Sequence, residues 1–479
     1  MMKTIAALGA APLALLEQHP ASAMFLARAD GTRLTFGQVR HDVDRRRTKL
    51  IDSRIGVGRI VALKVRDPVE FVLWHLAVLE SGAVSVPINP LAPDDDIRHT
   101  LKVAQATDWV DGDHDPHALE VSHRSWVAPG PGVILLTSGS TGHAKPCGLA
   151  WPALMHTARH VVAAHRLTEA DCAFSPLPLF HINALVVAVL GSLLAGSRLV
   201  LAERFSASAF WGIIEAHDVT WVNAVPSILN VLAARTERPS AATRLRFIRS
   251  ASAPLPEATR QAIETRFHTG VVETYGMTEA ASQITASPLP NEGARPGSVG
   301  LPHGIELRVV DRHGAERLRG VRGMVEIRGP SVIRPDWGPN SWVGRALHDD
   351  WYPTGDLGRV DQDGFLYLEG RIRDIINRGG ENIFPRELEE QLLAYPGVID
   401  AAVVGRPHPI LGEVPVAFVV PDPKRRLAEE DLRTWMTAKL ARYKLPSQYI
   451  VLDELPKGRT GKTSRPLLRR LAAADDPHA

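Results

Sequence analysis

Residues 135–145 read Leu135-Leu136-Thr137-Ser138-Gly139-Ser140-Thr141-Gly142-His143-Ala144-Lys145, and this stretch decides most of what the sequence predicts. An apolar strand, residues 133–136, runs into six small residues that are followed closely by a lysine. Such a loop lets backbone N–H groups approach phosphate oxygens without obstruction by side chains. Its hydroxyls add donors and Lys145 adds a positive charge, although a flexible Ser/Thr/Gly turn shares this composition. The spacing of a Walker A loop is absent.

Apolar runs alternate with helical patterns on both sides of this loop. Residues 60–65 and 83–88 predict strands, and residues 70–80 predict a buried helix between them. Strand, helix and strand at this spacing form a βαβ unit. Similar alternation continues from residue 133 to residue 272, so the sequence predicts an α/β protein whose body consists of doubly wound sheets.

The pattern changes twice towards the C-terminus. From about residue 297, short strands separated by Gly- and Pro-rich turns predict a β-rich subdomain that ends at residue 371. Residues 372–479 predict a compact α+β domain of a size that can fold alone. The predicted strands are 306–310, 323–328, 398–404 and 414–420, and the predicted helices are 386–393 and 429–440. The N-terminal domain is predicted to span residues 1–371.

Composition and cysteine content indicate a globular, cytoplasmic protein. Hydrophobic residues make up 45% of the 479 residues and the net charge is +2, which gives no case for a nucleic-acid surface. Cys147 and Cys172 cannot form a disulfide framework, which favours a reducing compartment. The uncharged run 180–197 predicts a buried helix rather than a membrane span. Residues 5–16 followed by 21–23 form only a weak signal-peptide pattern.

The loop is the first of five stretches that resemble, in order, the signatures of the acyl-adenylate-forming superfamily, which contains acyl-CoA synthetases, nonribosomal peptide adenylation domains and luciferases. The others are Tyr275-Gly276-Met277-Thr278-Glu279, Tyr352-Pro353-Thr354-Gly355-Asp356, residues 370–383, and Pro456-Lys457-Gly458-Arg459-Thr460-Gly461-Lys462. Each motif alone is a modest signal, and it is the order of five along essentially the whole chain that carries the resemblance. It implies a large N-terminal domain and a small, mobile C-terminal domain that carries the catalytic lysine.

The resemblance implies ATP, Mg²⁺ and, as the acceptor, CoA. The implied nucleotide and CoA contacts are Thr137, Ser138, Gly139, Ser140, Thr141, Gly142, Lys145, Ala253, Pro254, Thr274, Tyr275, Gly276, Asp356, Arg371, Gly379 and Gly380. Within this set Tyr275 would stack on adenine, Asp356 would accept hydrogen bonds from the ribose, and Glu279 would bind Mg²⁺. Taken singly, Tyr275 is equally typical of an aromatic residue in the core, Asp356 of an aspartate in a turn, and Glu279 of a glutamate on the surface.

The implied catalytic residues are Lys462, Thr278, Glu279 and His181. Attack of a carboxylate on the α-phosphate builds up negative charge, which Lys462 would stabilise by bridging the two groups. No general base is needed, because the carboxylate is already ionised at pH 7. Arg373 stands at the implied hinge, about which the C-terminal domain rotates between the two half-reactions.

The implied acid pocket contains His181, Ser250, Ser252, Thr274 and Ser282. His181 would gate entry of the thiol, or else be a buried core histidine. Polar side chains and a Thr at 274 predict a small, polar acid, and residues 205–211, 247–250 and 277–283 are similar to the oxalate–CoA ligase branch. The uncommon hinge residue and Asn377, which stands where some relatives have a lysine, weaken the likeness in the CoA half-reaction.

The predicted function is ATP-dependent conversion of a small carboxylic acid into an acyl-adenylate with release of pyrophosphate, followed by transfer to CoA. The chain would thus be an AMP-forming acid–thiol ligase, a monomer or homodimer with no nucleic-acid or membrane partner. Two alternatives remain open. The acceptor could be a carrier protein, an amine or another small nucleophile, with nitrite activation as a related chemistry, or the chain could bind nucleotide without catalysis.

Overall fold

A computed structural model describes residues 10–112, 114–119, 126, 128–137, 145–234, 243–422, 425, 427–457 and 463–474. The strands are β1 Met24–Arg28, β2 Arg33–Thr35, β3 Ile60–Leu63, β4 Val84–Pro87, β5 Asp108–Val110, β6 His117–Ala118, β7 Gly132–Thr137, β8 Lys145–Ala150, β9 Cys172–Ser175, β10 Arg198–Leu201, β11 Trp221–Ala224, β12 Phe247–Ser250, β13 Gly270–Met277, β14 Ser282–Ala286, β15 Leu301–Pro302, β16 Glu306–Val310, β17 Gly323–Arg328, β18 Tyr352–Val360, β19 Leu366–Arg371, β20 Ile376–Arg378, β21 Glu381–Ile383, β22 Val398–His408, β23 Gly412–Pro421 and β24 Gln448–Val451.

The helices alternate with these strands over most of the chain. They are α1 Pro12–Leu16, α2 Phe36–Asp52, α3 Pro68–Glu80, α4 Asp94–Ala104, α5 Trp151–His165, α6 Gly191–Ala195, α7 Phe210–Ala216, α8 Pro226–Ala234, α9 Glu257–Phe267, α10 Pro385–Leu393, α11 Glu429–Lys439 and α12 Arg465–Ala474. A π-helix, Asn183–Leu190, leads directly into α6, and 3₁₀ turns cover Thr278–Ala280, Asn340–Arg345, Ile372–Asp374 and Arg442–Lys444.

Two large sheets form the body of the protein, as predicted. The six-stranded sheet has the order β6-β5-β3-β4-β7-β8, and its inner strands are parallel. The predicted βαβ unit is present, because β3 and β4 pair in parallel with Ile60 opposite Val84 and α3 connects them. Residues 71–79 of α3 are all buried, which explains why this helix is apolar on every side.

The second sheet has nine strands, in the order β15-β14-β13-β12-β11-β9-β10-β1-β2. Its central strands β9, β11, β12 and β13 run parallel, so their carboxyl ends meet at one edge. The uncharged run 180–197 forms the π-helix and α6 against this sheet, and every π-helix side chain is buried. No helix in the described part of the chain is long and apolar enough to cross a membrane.

A four-stranded antiparallel sheet, β16-β17-β18-β19, follows, and β16 and β17 begin and end where the sequence predicted. The short strand β15 pairs with β14 instead, so it belongs to the nine-stranded sheet.

The C-terminal region contains a five-stranded sheet with helices on both faces. Alternate residues of β22 enter two different cores: Val403 packs with Leu388 of α10 and Met436 of α11, whereas Val404 packs with Leu468 of α12. This region therefore buries its own apolar side chains. The α/β class with a smaller C-terminal domain is confirmed, while the boundary at residues 371/372 and the mobility of the domain stay predictions.

Candidate active site

The Ser/Thr/Gly loop is the connection of a β-hairpin. Strands β7 and β8 are antiparallel, with Thr137 opposite Lys145, and the Thr137 hydroxyl donates to the Lys145 carbonyl over 3.4 Å. The Lys145 ammonium lies 4.9 Å from the centre of the Trp342 ring, and the Trp342 indole N–H donates to the Pro146 carbonyl over 3.1 Å. Both ends of the loop are thus fixed. The predicted phosphate ligands Ser138, Gly139, Ser140, Thr141 and Gly142 lie outside the described residues.

Tyr275, Asp356 and Arg371 come together although they belong to three different strands. The Tyr275 hydroxyl donates to Asp356 Oδ2 over 2.6 Å, and Arg371 Nε donates to Asp356 Oδ1 over 3.1 Å. Burial raises the pKa of Tyr275 well above its usual value, and the neighbouring Asp356 carboxylate raises it further, so the phenol stays a donor. The structure therefore brings together one aromatic ring, one buried carboxylate and one cation.

Gly276, next to Tyr275, pairs with Gln283 at a bulge between β13 and β14. A Cβ atom at Gly276 would lie 1.7 Å from the Ser282 carbonyl oxygen. Only glycine permits so close a backbone approach. The structure shows that the approaching group is the neighbouring strand of the same sheet.

Thr278 and Glu279 form a 3₁₀ turn immediately after β13, and both are half-buried. Burial lowers the pKa of the Arg371 guanidinium, but the charge of Asp356 and, more weakly, that of Glu279 raise it, so the pKa is raised overall. Glu279 therefore lies within electrostatic range of the nucleotide-binding candidates. Within the described ranges, no cluster of three or more His, Cys, Asp or Glu side chains is arranged to hold a metal ion. One carboxylate suits Mg²⁺ nonetheless, because Mg²⁺ keeps several waters and takes phosphate oxygens as ligands.

The predicted acid-pocket residues divide into buried and exposed members. Thr274, Ser250 and Ser282 are buried, and the Thr274 hydroxyl donates to the Ser250 carbonyl over 3.1 Å. Ser252 is exposed and has a φ of 75°, the left-handed region that favours glycine. His181 is half-buried just before the π-helix, with its ring centre 4.6 Å from that of Phe180. Ala253 and Pro254 are exposed.

Charged side chains on the two sides of the predicted hinge pair with different elements of the fold. Arg371 pairs with Asp356 of β18, whereas Asp374 pairs with Arg465 at 3.4 Å and with Arg469 at 3.1 Å, both on α12. Arg373 stands between them, and its carbonyl accepts a hydrogen bond from Arg469 over 3.2 Å. The role of Arg373 as a hinge stays a prediction.

Gly379 and Gly380 form the turn between β20 and β21 with φ values of 62° and 93°. Their predicted contact with CoA stays a prediction, and Lys462 lies outside the described residues.

One buried positive charge was not predicted from the sequence. Arg249 lies within residues 247–250 and was not predicted as a site residue, yet its side chain is among the largest fully buried ones and donates hydrogen bonds to Asn183, Asn223 and Gln283. An arginine directly after Phe247-Ile248 in a central strand is the signal that could have revealed it, because an arginine is almost never fully buried unless it is paired.

Comparisons with known proteins define the class. The family described as AMP-binding enzyme matches residues 14–126 and 121–335, and the AMP-binding enzyme C-terminal domain matches residues 387–462. The chain belongs to the AMP-binding enzyme family. It is therefore an enzyme of the AMP-forming ligase type, as predicted, and the cofactors of that type are ATP, Mg²⁺ and CoA.

Particular relatives cover nearly the whole chain. It is 35% identical to a sulfoacetate–CoA ligase from Cupriavidus necator over 94% of both chains, and 33% identical to an oxalate–CoA ligase from Arabidopsis thaliana over 90% of this chain and 92% of that one. The solved structure of an O-succinylbenzoate coenzyme A synthetase from Bacillus subtilis, in complex with ATP and magnesium ion, matches with a TM-score of 0.84 at 27% identity, covering 95% of this chain and 98% of that one.

Proposed function

We propose that this protein activates a small carboxylic acid with ATP, releasing pyrophosphate, and transfers the acyl group from the adenylate to CoA. The observation that carries the proposal is the convergence of Tyr275, Asp356 and Arg371 at the carboxyl edge of the nine-stranded sheet. Ligands of open α/β sheets bind at this edge. The three residues supply a face for a base, an acceptor for hydroxyl groups and a charge for phosphate oxygens.

Each of these residues has a role that its environment supports. The Asp356 carboxylate is buried and already accepts two hydrogen bonds, so it is held in one orientation for the ribose hydroxyls. The Tyr275 ring is fixed by its own hydroxyl, which leaves a face for adenine. Arg371 would neutralise phosphate charge while it remains paired with Asp356.

The charges needed at the reacting phosphate come from the loop, from Glu279 and from Lys462. Mg²⁺, when bound, neutralises phosphate oxygens, and Glu279 is the residue that would hold it. Lys462 would reach the α-phosphate and the substrate carboxylate from the C-terminal domain. The contacts of Arg371 and Asp374 on either side of Arg373 support a rotation that brings this lysine in and later withdraws it.

The size of the acid follows from the polar residues around Thr274. Thr274, Ser250 and Ser282 are buried polar residues, and the Ser250 hydroxyl has no hydrogen-bond partner among the described residues, so a polar acid is better accommodated here than a long apolar chain. The similarity to a sulfoacetate–CoA ligase and to an oxalate–CoA ligase also favours a small, polar acid. The acid is thus proposed to be small and polar.

The test is a panel of acids with ATP and Mg²⁺, with and without CoA, monitored for pyrophosphate, AMP and acyl-CoA. We expect pyrophosphate and acyl-CoA from sulfoacetate or oxalate, and none from palmitate. Preference for long fatty acids would contradict the proposed acid class. Formation of AMP without acyl-CoA would contradict CoA as the acceptor.

A further inference from the structure

A buried arginine stands in the middle of the nine-stranded sheet with only neutral partners. Arg249 Nη1 donates to Asn183 Oδ1 and to Asn223 Oδ1, both over 2.9 Å, and Nη2 donates to Gln283 Oε1 over 3.3 Å. The exposed fractions are 1% for Arg249, 7% for Asn183, 0% for Asn223 and 3% for Gln283. We call these four residues the Arg249 cluster.

No carboxylate in the described part of the chain forms an ion pair with Arg249. Burial lowers the pKa of its guanidinium to about 9, so it stays charged at pH 7. A buried charge without a counter-charge is costly, and native proteins almost always pair it. The neutral amide oxygens satisfy some of its N–H groups and do not neutralise it.

The remaining polar atoms of the cluster are all donors. Arg249 Nε and the amide nitrogens of Asn183, Asn223 and Gln283 are buried and have no hydrogen-bond partner among the described residues. The amide orientations are fixed by chemistry, because turning any of them would place an NH₂ group against the guanidinium. The cluster therefore presents a positive charge and several N–H donors, which suits an anion with several oxygens. The nearby acceptor is a ring nitrogen of the buried His165 beside Gln283, which carries no charge because burial lowers its pKa well below the usual value.

The cluster lies on the same face of the sheet as Thr274, one of the predicted acid-pocket residues. Arg249 is opposite Val272 in β13, and Thr274 is two residues further along that strand, so the two side chains lie on one face. Gln283 is opposite Gly276, still nearer the carboxyl edge, and it reaches the Arg249 guanidinium. Two residues of strand span about 7 Å, a distance that a small acid bridges.

The covering helix completes this arrangement. Asn183 is the first residue of the π-helix, two residues after His181, and it contacts Arg249 from the helix that packs on the sheet. An acid whose reacting carboxylate lies at the sheet edge would thus extend from Thr274 towards Arg249.

We propose that the Arg249 cluster binds a second anionic group of the acid substrate, so that the enzyme activates small dianionic acids, either dicarboxylates or sulfocarboxylates. This inference rests on the proposed function. One carboxylate attacks ATP, and the other carboxylate or the sulfonate pairs with Arg249. Monoanionic acids of equal size leave the charge of Arg249 unpaired.

The experiment compares dianions with their monoanionic half-amides in the intact enzyme. Steady-state kcat/KM for pyrophosphate release is measured with oxalate against oxamate, malonate against malonamate, and sulfoacetate, in wild type, Arg249→Met and Arg249→Lys. Because losing one partner of a buried charge pair is strongly destabilising, we expect wild type to prefer the best dianion over its half-amide by at least about 100-fold. The malonate and sulfoacetate arms decide between a carboxylate and a sulfonate.

The two variants separate charge from packing. Arg249→Met should reduce kcat/KM for the dianion at least about 100-fold more than for the half-amide, whereas Arg249→Lys should retain part of the preference. Arg312→Met, which removes an exposed arginine, is the matched control and should resemble wild type. If Arg249→Met does not fold, the wild-type comparison of dianion with half-amide still decides.

The outcomes also distinguish the two proposals. Equal activity of wild type on dianions and half-amides, or an equal loss on both in Arg249→Met, would overturn the dianion site and leave the adenylation intact. Absence of pyrophosphate with every acid tested would overturn the proposed function and this inference with it.

Discussion

Among substitutions that add a single methyl group to a described residue, Gly276→Ala should disrupt the site most. The added Cβ would lie 1.7 Å from the Ser282 carbonyl oxygen, half the 3.4 Å at which ordinary contact begins. The obstructing atom belongs to backbone, so no side chain can rotate to make room. Strand β14 must move away from β13 at the residue next to Tyr275.

The magnitude follows from what this movement breaks. Forcing an extra carbon into packed structure typically costs 1–3 kcal/mol, and hydrogen bonds lost between the two strands add about 1 kcal/mol each, so we expect a loss of about 3 kcal/mol or more. If the predicted N-terminal domain, residues 1–371, unfolds as one cooperative unit, this corresponds to a fall in Tm of about 4 °C. A displacement of about 1 Å at Tyr275 should reduce kcat/KM for ATP by about 100-fold.

The assays are thermal unfolding and pyrophosphate release at varied ATP, with Gly212→Ala as the matched control. A Cβ at Gly212, in helix α7, would meet nothing within 4 Å, so alanine there should stabilise by about 0.5–1 kcal/mol through its better helix propensity. Wild-type Tm and wild-type kcat/KM for ATP in Gly276→Ala would refute the reasoning, since both depend on the same contact.

Three further predictions concern the charges of the site. Tyr275→Phe removes the hydroxyl that donates to Asp356, so the protein without ATP should lose about 1.5–3 kcal/mol of stability. Saturating ATP should restore part of this stability, because its ribose hydroxyls can donate to Asp356 instead. Identical melting of the variant with and without ATP would contradict the pairing. Burial raises the pKa of Glu273 to about 7, above its usual 4.5, so its ionisation destabilises the fold progressively as pH rises from 4.5 to 7. The free energy of unfolding of Glu273→Gln should therefore match that of wild type near pH 4.5 and exceed it by at most about 3 kcal/mol at pH 8. Parallel pH–stability curves for the two proteins would contradict this. Lys462→Ala should reduce the rate of adenylation by about 100- to 1000-fold, measured as pyrophosphate release in a single turnover; wild-type rates would show that the transition-state charge is stabilised elsewhere.

The local elements were predictable because their signals are local. The strands Glu306–Val310 and Gly323–Arg328 were predicted to the residue, and α3 was recognised from an apolar run that is buried on every side. Hydrophobic periodicity and turn residues act over a few positions, so the chain alone carries this information. The order of the five motifs likewise lies in the sequence and identified the family.

The tertiary structure alone decided which residues meet. Tyr275 and Asp356 are 81 positions apart, and their hydrogen bond depends on how β13 is placed against the four-stranded sheet. Ser252 was predicted beside Ser250 in the acid pocket, yet one is exposed and the other buried, because Ser252 follows the end of β12.

The loop around Ser138 and Gly139 was readable from its own residues, and together with the four motifs that follow it in order it identified the AMP-binding family. The Arg249 cluster was not readable in that way. Its members come from β11, β12, β14 and the π-helix, and each is an ordinary polar residue within its own stretch. Strand pairing, which depends on contacts far apart in sequence, turned them into one buried, positively charged site.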